Sequence, residues 1–154
     1  MDLILWRHAD AHPGEPILKA DLERALTGKG RRQAASIAIW LDKHLPDSAK
    51  ILVSPAVRSI ETASALDRKY KILPELAPGA QVASLLAAAG WPDSRHPVVI
   101  VGHQPALGQL ASLLLFGVEQ DLSMRKGAVW WLTNRSREDN HKTTLRAAIC
   151  PDYL

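Results

Sequence analysis

Cysteine is nearly absent from this chain, which has a single one, Cys150, in 154 residues. One cysteine excludes an intrachain disulfide framework and suits a reducing compartment. Cys150 is also a poor candidate for a phosphatase nucleophile, because the segment CPDYL that it begins has no arginine downstream to hold a phosphate. We expect Cys150 to be a small residue late in a strand.

Long hydrophobic runs are missing near the amino terminus, where the longest, LILW at positions 3–6, has only four residues. A secretory signal and a membrane-spanning helix both need a much longer run. We therefore expect a cytoplasmic protein with no membrane partner. Low-complexity tracts and internal repeats are absent as well, and the length suits one domain over residues 1–154.

A large excess of charge of either sign is also absent. The 19 lysines and arginines stand against 16 acidic residues, which gives a net charge of +3. The basic stretches KGRR (29–32) and RKYK (68–71) are short and separated. RKYK is interpreted as the end of a helix, where cations complement the dipole, and KGRR as solvated charge at the start of another. Nucleic acid is therefore not an expected partner.

Short apolar runs and helical patterns alternate along the chain. The runs LILW (3–6), ILV (51–53) and VVIV (98–101) are typical of buried strands in a parallel sheet. Near the carboxyl terminus, GAVWWLT and TTLRAAIC flank the charged segment NRSREDNHK and predict a β-hairpin at one side of the sheet. The pattern predicts an α/β protein.

Four helices are predicted from apolar residues spaced three and four positions apart and from an Ala- and Leu-rich stretch. In chain order they cover residues 34–45, 55–66, 79–90 and 107–114. The second is expected to take Ser54 as its N-cap and Pro55 as its first residue. The others are expected to end near Pro46, Gly90 and Gly117.

Cationic side chains follow all three of the predicted parallel strands. Arg7 and His8 come directly after the first strand, Arg58 follows the second and His103 follows the third. Open α/β sheets bind ligands where the carboxyl ends of their strands meet, so these side chains can converge. Gathered cations repel one another unless an anion holds them. A phosphoryl group is such an anion, because arginine binds its oxygens bidentately and helix starts can add backbone N–H groups.

Five segments, in this order and spacing, resemble the histidine phosphatase superfamily and in particular its small SixA-like phosphohistidine phosphatase branch: RHAD, LTGKG, SPAVRSIETA, LPELAPG and VVIVGHQPALG. The match covers about the first 115 residues, and the tail KGAVWWL resembles the same branch. The resemblance implies a three-layer α/β/α sandwich with a mostly parallel central sheet, the phosphoglycerate mutase-like fold. It also implies a phosphatase that uses no metal or organic cofactor.

The resemblance further implies a role for each cationic residue. His8 is the nucleophile that becomes phosphorylated, Arg7 and Arg58 hold the phosphoryl group, and His103 donates a hydrogen bond to it. A neutral imidazole is a competent nucleophile near pH 7, and the flanking arginines favour a neutral His8. The sequence departs from the superfamily at Ala9, where glycine is usual, and the added methyl group could restrict backbone approach or substrate size.

The substrate class depends on Glu75, the candidate proton donor. A phosphate ester releases an alkoxide, which needs a general acid, whereas phosphohistidine releases an imidazole far more easily. Superfamily members that act on esters carry a glutamate in a similar place with extra loop segments, and residues 73–98 leave little room for such segments. The expected partner is therefore a phosphohistidine-bearing protein, with inorganic phosphate as product. The alternative substrate is a small phosphomonoester, and its hydrolysis would depend more on Glu75 as the proton donor.

Three polar residues near the expected mouth of the site are predicted substrate contacts: Asp10, His12 and Gln104. Two other interpretations stay open. The segment HADAH, with His103 as a fourth ligand, could belong to a metal hydrolase through His8, Asp10 and His12, although two arginines would repel a cation. The same residues could also bind phosphate without turning it over, as in a regulatory module.

Overall fold

The computed structural model describes residues 1–13, 18–134 and 142–154. In chain order the strands and helices are β1 (Asp2–Arg7), α1 (Leu18–Leu22), α2 (Gly28–His44), β2 (Lys50–Val53), α3 (Val57–Ser64), β3 (Lys71–Ile72), α4 (Val82–Ala89), β4 (Val98–Gly102), α5 (Ala106–Phe116), β5 (Val129–Asn134) and β6 (Thr143–Ile149). Two short 3₁₀ turns lie at Pro74–Leu76 and Pro151–Tyr153. Most of the predicted hairpin connection, residues 135–141, lies outside the described residues.

The strands form one six-stranded sheet in the order β3-β2-β4-β1-β5-β6. Strands β3, β2, β4 and β1 pair in parallel, and β5 and β6 are antiparallel. The three predicted parallel strands are confirmed as β1, β2 and β4, and the predicted hairpin is confirmed as β5 and β6 at one side of the sheet. Within the described ranges, no helix is long and apolar enough to cross a membrane.

Apolar cores lie on both faces of this sheet. Ile4 and Trp6 of β1 pack with α2 and α3 on one face. Leu3 and Leu5 of the same strand pack with α4 and α5 on the other face. Successive side chains of a strand point to opposite faces, so one fully apolar strand supplies both cores. The result is the expected three-layer α/β/α sandwich.

Two of the predicted helix boundaries are wrong. Helix α3 begins at Val57 and takes Ala56 as its N-cap, not Ser54. The Ser54 hydroxyl instead accepts a hydrogen bond from the Ala56 N–H at 3.2 Å, which forms a turn before the helix. Helix α4 begins at Val82, later than the predicted start at residue 79, and ends as predicted on left-handed Gly90. Helix α2 ends at His44, just before Pro46, and α5 ends on left-handed Gly117, both as predicted.

The RKYK segment is not a helix end. Helix α3 has already ended at Ser64, and Lys71 lies in the edge strand β3. Arg68 donates hydrogen bonds to the carbonyl oxygens of Leu45 and Pro46 at 3.2 and 2.9 Å. Arg68 therefore satisfies carbonyl groups that follow α2, because cations complement the negative end of a helix wherever they come from in the chain.

Close backbone contacts hold two helices against the loops that carry functional residues. A Cβ atom on Gly30, in the first turn of α2, would overlap the carbonyl oxygen of Asp10. A Cβ atom on Gly108, in the first turn of α5, would overlap that of Leu122. Both helices can approach these loops because glycine has no side chain there.

Candidate active site

The four residues that follow the parallel strands come together at the carboxyl edge of the sheet. Arg7 ends β1 and is paired in register with Gly102, so His8 and His103 leave the sheet at neighbouring points. The rings of these two histidines have centroids 5.3 Å apart. Arg58 reaches the same place from the first turn of α3 and is only 3% exposed. The predicted convergence of Arg7, His8, Arg58 and His103 is what the fold produces.

The imidazole of His8 is neutral, and its proton can be placed. Its Nδ1 atom lies 2.7 Å from the carbonyl oxygen of Ala9. A carbonyl only accepts, so Nδ1 carries the proton and Nε2 keeps a free electron pair. The pKa of His8 is lowered to about 4, mainly by burial and also by the charges of Arg58 and Arg7, although the hydrogen bond to Ala9 raises it. His8 therefore presents an unprotonated nitrogen at neutral pH.

His103 is also neutral and buried. Burial lowers its pKa to about 3, and the neighbouring His8 and Arg58 add to the effect. Its Nε2 atom lies 2.7 Å from the Ser54 hydroxyl oxygen, which already accepts the Ala56 N–H and so has its own proton to donate. We assign Nε2 as the acceptor, which leaves the proton of His103 on Nδ1.

The two arginines are anchored through only part of their guanidinium groups. Arg7 donates from Nη1 to the carbonyl oxygen of Met124 at 2.6 Å. Arg58 donates from Nη1 to the carbonyl oxygen of Asp21 at 2.7 Å and from Nη2 to its carboxylate at 3.2 Å. The Nε atoms of both arginines, and Nδ1 of His103, are buried and have no partner among the described residues. Buried donors in proteins are nearly always paired, so three unpaired donors on residues that meet at this edge suit an anionic ligand.

Asp21 and Arg24 belong to this site, although the sequence analysis did not single them out. The Asp21 carboxylate accepts a hydrogen bond from Arg24 Nε at 3.0 Å while it pairs with Arg58. Partial burial raises the pKa of Asp21, but the charges of Arg58 and Arg24 outweigh it and keep the pKa below its usual value. One feature of the sequence could have pointed to these two residues. The segment DLER (21–24) places an acidic and a basic side chain three positions apart, just before the LTGKG segment.

Asp10 lies beside the first turn of α2. Its carboxylate accepts hydrogen bonds from the Thr27 hydroxyl at 2.7 Å and from Lys126 Nζ at 3.1 Å. The bond from Thr27 is the main reason that its pKa is lowered, and the charge of Lys126 contributes too. Asp10 thus joins α2 to the loop around residue 126, and its predicted contact with substrate stays a prediction.

The other two predicted substrate contacts have different surroundings. His12 is exposed, and its carbonyl oxygen accepts a hydrogen bond from Arg24 at 2.9 Å. Gln104 uses both ends of its amide within the fold: it donates to the Leu122 carbonyl at 2.7 Å and accepts from the Gly108 N–H at 2.7 Å. These bonds hold α5 against the following loop, and the predicted contact of Gln104 with substrate stays a prediction.

Glu75 is exposed in the first 3₁₀ turn. The next residues, Leu76 and Ala77, line a cavity of about 10 Å³ together with His103, which is room for one water molecule. From this turn to the start of β4, the chain consists of α4 and one further turn. No inserted segment covers the site in this described stretch, which agrees with the short length of the chain.

The alternative metal site does not assemble. Within the part of the chain that the structure describes, no three histidine, cysteine or acidic side chains are arranged to hold a metal ion. The set His8, Asp10, His12 and His103 therefore lacks the geometry that a metal hydrolase requires.

Ala9 is fully buried and packs in a small apolar cluster with Ala11, Leu26 and Ala34. Its N–H donates to the Thr62 hydroxyl at 3.0 Å, which fixes the backbone next to His8. The expectation that this methyl group restricts the substrate finds no support here, because the group lies in the core.

Two comparisons by sequence identify the family. A family model described as the histidine phosphatase superfamily (branch 1) matches residues 3–81. An uncharacterized protein of Picosynechococcus sp. is 31% identical over 144 residues, which cover 84% of this chain and 82% of that protein.

Solved structures share the fold at lower identity. The protein histidine phosphatase SixA, solved with tungstate, has a TM-score of 0.77 and 24% identity over 99% of both chains. A phosphoserine phosphatase of Entamoeba histolytica has a TM-score of 0.70 and 16% identity, with 99% of this chain and 98% of that chain covered. A mycobacterial glucosyl-3-phosphoglycerate phosphatase has a TM-score of 0.66 and 20% identity, with coverage of 94% and 96%.

The residues matched by the family model include Arg7, His8 and Arg58, which meet at the carboxyl edge of the sheet. The chain therefore belongs to the histidine phosphatase superfamily, and this membership supports phosphatase activity.

Proposed function

We propose that this protein hydrolyses phosphohistidine in a protein substrate, through a phosphohistidine intermediate on its own His8. The observation that carries the proposal is the set of three buried N–H groups, on Arg7, Arg58 and His103, that have no acceptor among the described residues beside a neutral His8. Such a set suits a phosphoryl group, whose oxygens accept several charge-assisted hydrogen bonds. The structurally similar SixA, which was solved with the oxyanion tungstate, supports the same ligand chemistry.

In the first step, the free electron pair of His8 Nε2 attacks phosphorus. The new N–P bond forms as the bond from phosphorus to the substrate imidazole breaks, and the departing imidazole nitrogen takes a proton from solvent. Arg7 and Arg58 compensate the charge on the equatorial oxygens, while His103 donates from Nδ1. The Nδ1–H bond to Ala9 holds the ring of His8 in the reactive tautomer and steadies the positive charge that develops on it.

In the second step, water attacks the phosphorus of phosphorylated His8. The N–P bond breaks, the electron pair returns to Nε2, and inorganic phosphate is released. The low pKa of His8 makes its imidazole a good leaving group when neutral and keeps it ready for another cycle. Each cycle consumes one water molecule and one phosphorylated substrate.

The leaving group favours phosphohistidine over a phosphate ester. An imidazole departs without strong acid assistance, and the candidate acid Glu75 is an exposed side chain. The stretch between the first 3₁₀ turn and β4 has only α4 and one turn, so it carries none of the extra loop segments expected of members that act on esters. The similar structures include a phosphoserine phosphatase and a glucosyl-3-phosphoglycerate phosphatase. A phosphate ester is therefore the alternative substrate that an experiment must exclude.

Labelling that is quenched with alkaline detergent tests the covalent step, because a phosphoryl group on histidine is lost in acid. Wild-type protein mixed with a phosphohistidine-bearing protein should acquire a base-stable, acid-labile phosphoryl group, and His8→Ala should acquire none. The matched control is His44→Ala, which removes an exposed histidine on α2 and should label normally. Tight phosphate binding by a wild type that never becomes labelled would indicate a regulatory module instead of an enzyme.

A substrate panel tests the specificity. Phosphohistidine protein should be turned over much faster than phosphoserine or phosphoglycerate. Efficient turnover of either ester, with phosphohistidine inert, would overturn the assigned substrate while leaving the covalent mechanism intact.

A further inference from the structure

A large groove lies at the opposite end of the sheet from the active site. Its volume is about 970 Å³, and it is lined by the starts of β2 and β4, by β3, and by the end of α4 with the turn that follows. Lys50 and Val98 are the first residues of β2 and β4, whereas Arg58 and His103 follow the ends of these strands. At about 3.3 Å per residue, Val98 at the start of β4 and His103 after its end are about 16 Å apart.

Unpaired positive charge surrounds the groove. Lys50, Lys69, Lys71 and Arg95 line it and are exposed, and Asp93 is the one acidic residue in the lining. None of the four cations takes part in an ion pair with another described residue, whereas six arginines elsewhere do. Four cations and one acid leave an excess of three positive charges, which equals the net charge of the whole chain. The lining of this groove is therefore positively charged.

The floor of the groove is apolar. Leu52 and Leu73 line it, the first buried and the second partly exposed at the edge of one core. Tyr70, which is 38% exposed, stands beside them, and the neighbouring Ile72 is 44% exposed. A ligand that fits this surface must be both acidic and partly apolar.

The shape of the groove favours a peptide over a small anion. All four cations are long exposed side chains, which lose entropy when they are fixed and do not form a preorganised pocket for a single phosphate. The groove also runs along β3, which pairs only with β2 and leaves its other side as the edge of the sheet. An edge strand can pair with an extended segment of another chain.

We propose that this groove binds an acidic, partly apolar segment of a partner protein. Acidic side chains of the segment contact the lysine and arginine rim, and its apolar side chains cover Leu73 and Tyr70. The active site stays open when the groove is filled, so binding would tether a partner to the enzyme without blocking catalysis. This proposal does not depend on the chemistry proposed for His8.

The test uses a fluorescein-labelled peptide, Glu-Glu-Leu-Glu-Asp-Leu-Glu-Glu, and fluorescence anisotropy with the full-length protein. Affinity should fall about tenfold or more between low and high salt, because exposed charges are screened. A neutral analogue with Gln and Asn in place of Glu and Asp should bind much more weakly. Amide shifts in NMR spectra should map to residues 49–52, 69–73 and 87–98.

Charge reversal locates the site. The variant Lys69→Glu, Lys71→Glu, Arg95→Glu should lose at least tenfold in peptide affinity and keep wild-type hydrolysis of a small phosphorylated substrate, which also reports that it folds. The matched control Arg32→Glu, Lys43→Glu, Lys142→Glu makes the same charge change at exposed positions away from the groove and should bind like the wild type. Equal losses in both variants would show a general effect of net charge and overturn the proposal. Tighter groove-dependent binding of an eight-nucleotide single-stranded DNA, or no peptide binding at low salt, would overturn it as well.

Discussion

At the scale of single residues, the role of an ionisable side chain depends more on its environment than on its residue type. His8 and His103 are both neutral because they are buried, but their hydrogen bonds leave different atoms available. His8 donates from Nδ1 to a carbonyl and keeps Nε2 as a nucleophile. His103 accepts at Nε2 from Ser54 and keeps an N–H on Nδ1. One is thus suited to attack phosphorus and the other to bind an oxygen of the phosphoryl group.

If Arg58 binds the phosphoryl group as proposed, Asp21 competes with the substrate for it. The carboxylate and the carbonyl oxygen of Asp21 both accept hydrogen bonds from the guanidinium group of Arg58. Asp21→Asn keeps the shape and removes the charge, so we expect inorganic phosphate to inhibit the variant at about five- to tenfold lower concentration. That corresponds to about 1 kcal/mol, in line with a partly exposed ion pair. The measurement is the inhibition constant of phosphate in a hydrolysis assay.

The control for this prediction is Asp42→Asn, which removes the acidic partner of Arg68 in a similar ion pair far from the site. Its inhibition constant should match that of the wild type. An unchanged inhibition constant in Asp21→Asn would mean that phosphate loses no binding free energy when it displaces the Asp21 carboxylate from Arg58.

Glu75 offers a second prediction at this scale. Because an imidazole leaves easily, Glu75→Gln should keep phosphohistidine hydrolysis within a few-fold of the wild type. A loss on the order of a hundredfold in the turnover rate would identify an obligatory proton donor, and the expected leaving group would then be an alkoxide. The turnover rate should be measured on phosphohistidine and on phosphoserine with both proteins, since only the ester reaction is expected to depend on this acid.

At the scale of elements, the first turn of α2 holds the loop that follows His8. Thr27 caps the helix by accepting the Gly30 N–H at 3.0 Å, and its hydroxyl also donates to the Asp10 carboxylate. Gly30 then lets the helix backbone lie directly against Asp10, two residues beyond His8. The segment LTGKG therefore positions the loop that follows His8, the proposed nucleophile.

Gly30→Ala should disturb both stability and activity. A methyl group would collide with the Asp10 backbone, and we expect a loss of about 2 kcal/mol in the free energy of unfolding together with slower labelling of His8. Gly28→Ala is the matched control, since its nearest neighbour is the flexible end of Arg32 at 3.5 Å. That variant should be neutral or slightly more stable, because alanine favours helix. Urea denaturation and alkali-quenched labelling of His8 in both variants are the measurements, and equal effects would contradict the assigned contact.

Elements were predictable from the sequence in proportion to their length and regularity. The long helix α2 and the buried strands β1 and β4 have clear apolar periodicity, and the structure confirms them. The five-residue α1 and the two-residue β3 are too short to show a period, so both were missed. Ser54 was interpreted as a helix cap because serine commonly caps helices, and only the tertiary contact with His103 shows its other use.

The residues of the candidate site also differ in how far they could be predicted from the sequence. Arg7, His8, Arg58 and His103 could be predicted because parallel topology brings the ends of strands together. Asp21 and Arg24 could not, since they reach the site from a segment whose path depends on side-chain contacts and not on a strand. Neither the unpaired buried N–H groups nor the tautomers of the histidines can be predicted from residue types alone.

At the scale of the whole molecule, two ends of one sheet carry different surfaces. The carboxyl edge collects buried cations whose remaining N–H groups converge, and the opposite end carries exposed cations above an apolar groove. Buried charge is costly and therefore organised for one ligand, whereas exposed charge is screened and suits a loosely held partner. The fold keeps the two apart because the strands between them are fully apolar.

Burial of two neutral histidines makes the stability of the whole protein depend on pH. The pKa values of His8 and His103 fall from 6.5 to about 4 and about 3 on folding, so the unfolded chain binds protons that the folded chain does not. Stability from this source is full above pH 6.5 and is lost as the pH falls towards 4. Between pH 7.5 and 5 we expect the free energy of unfolding to drop by about 2 kcal/mol or more, as measured by urea denaturation. The lowered pKa values of Asp10 and Asp21 affect the free energy of unfolding only at pH values below this window.

The variant His103→Gln separates this effect from general acid denaturation. It removes one of the two buried groups, so its unfolding free energy should change less between pH 7.5 and 5 than that of the wild type, even if it is less stable at both values. The labelling of His8 should meanwhile persist in the wild type at pH 5.5, where an ordinary histidine is mostly protonated and cannot attack phosphorus. A wild type whose stability is flat across this window would mean that folding leaves the pKa values of both histidines unchanged, and that burial does not keep His8 neutral at pH 5.5.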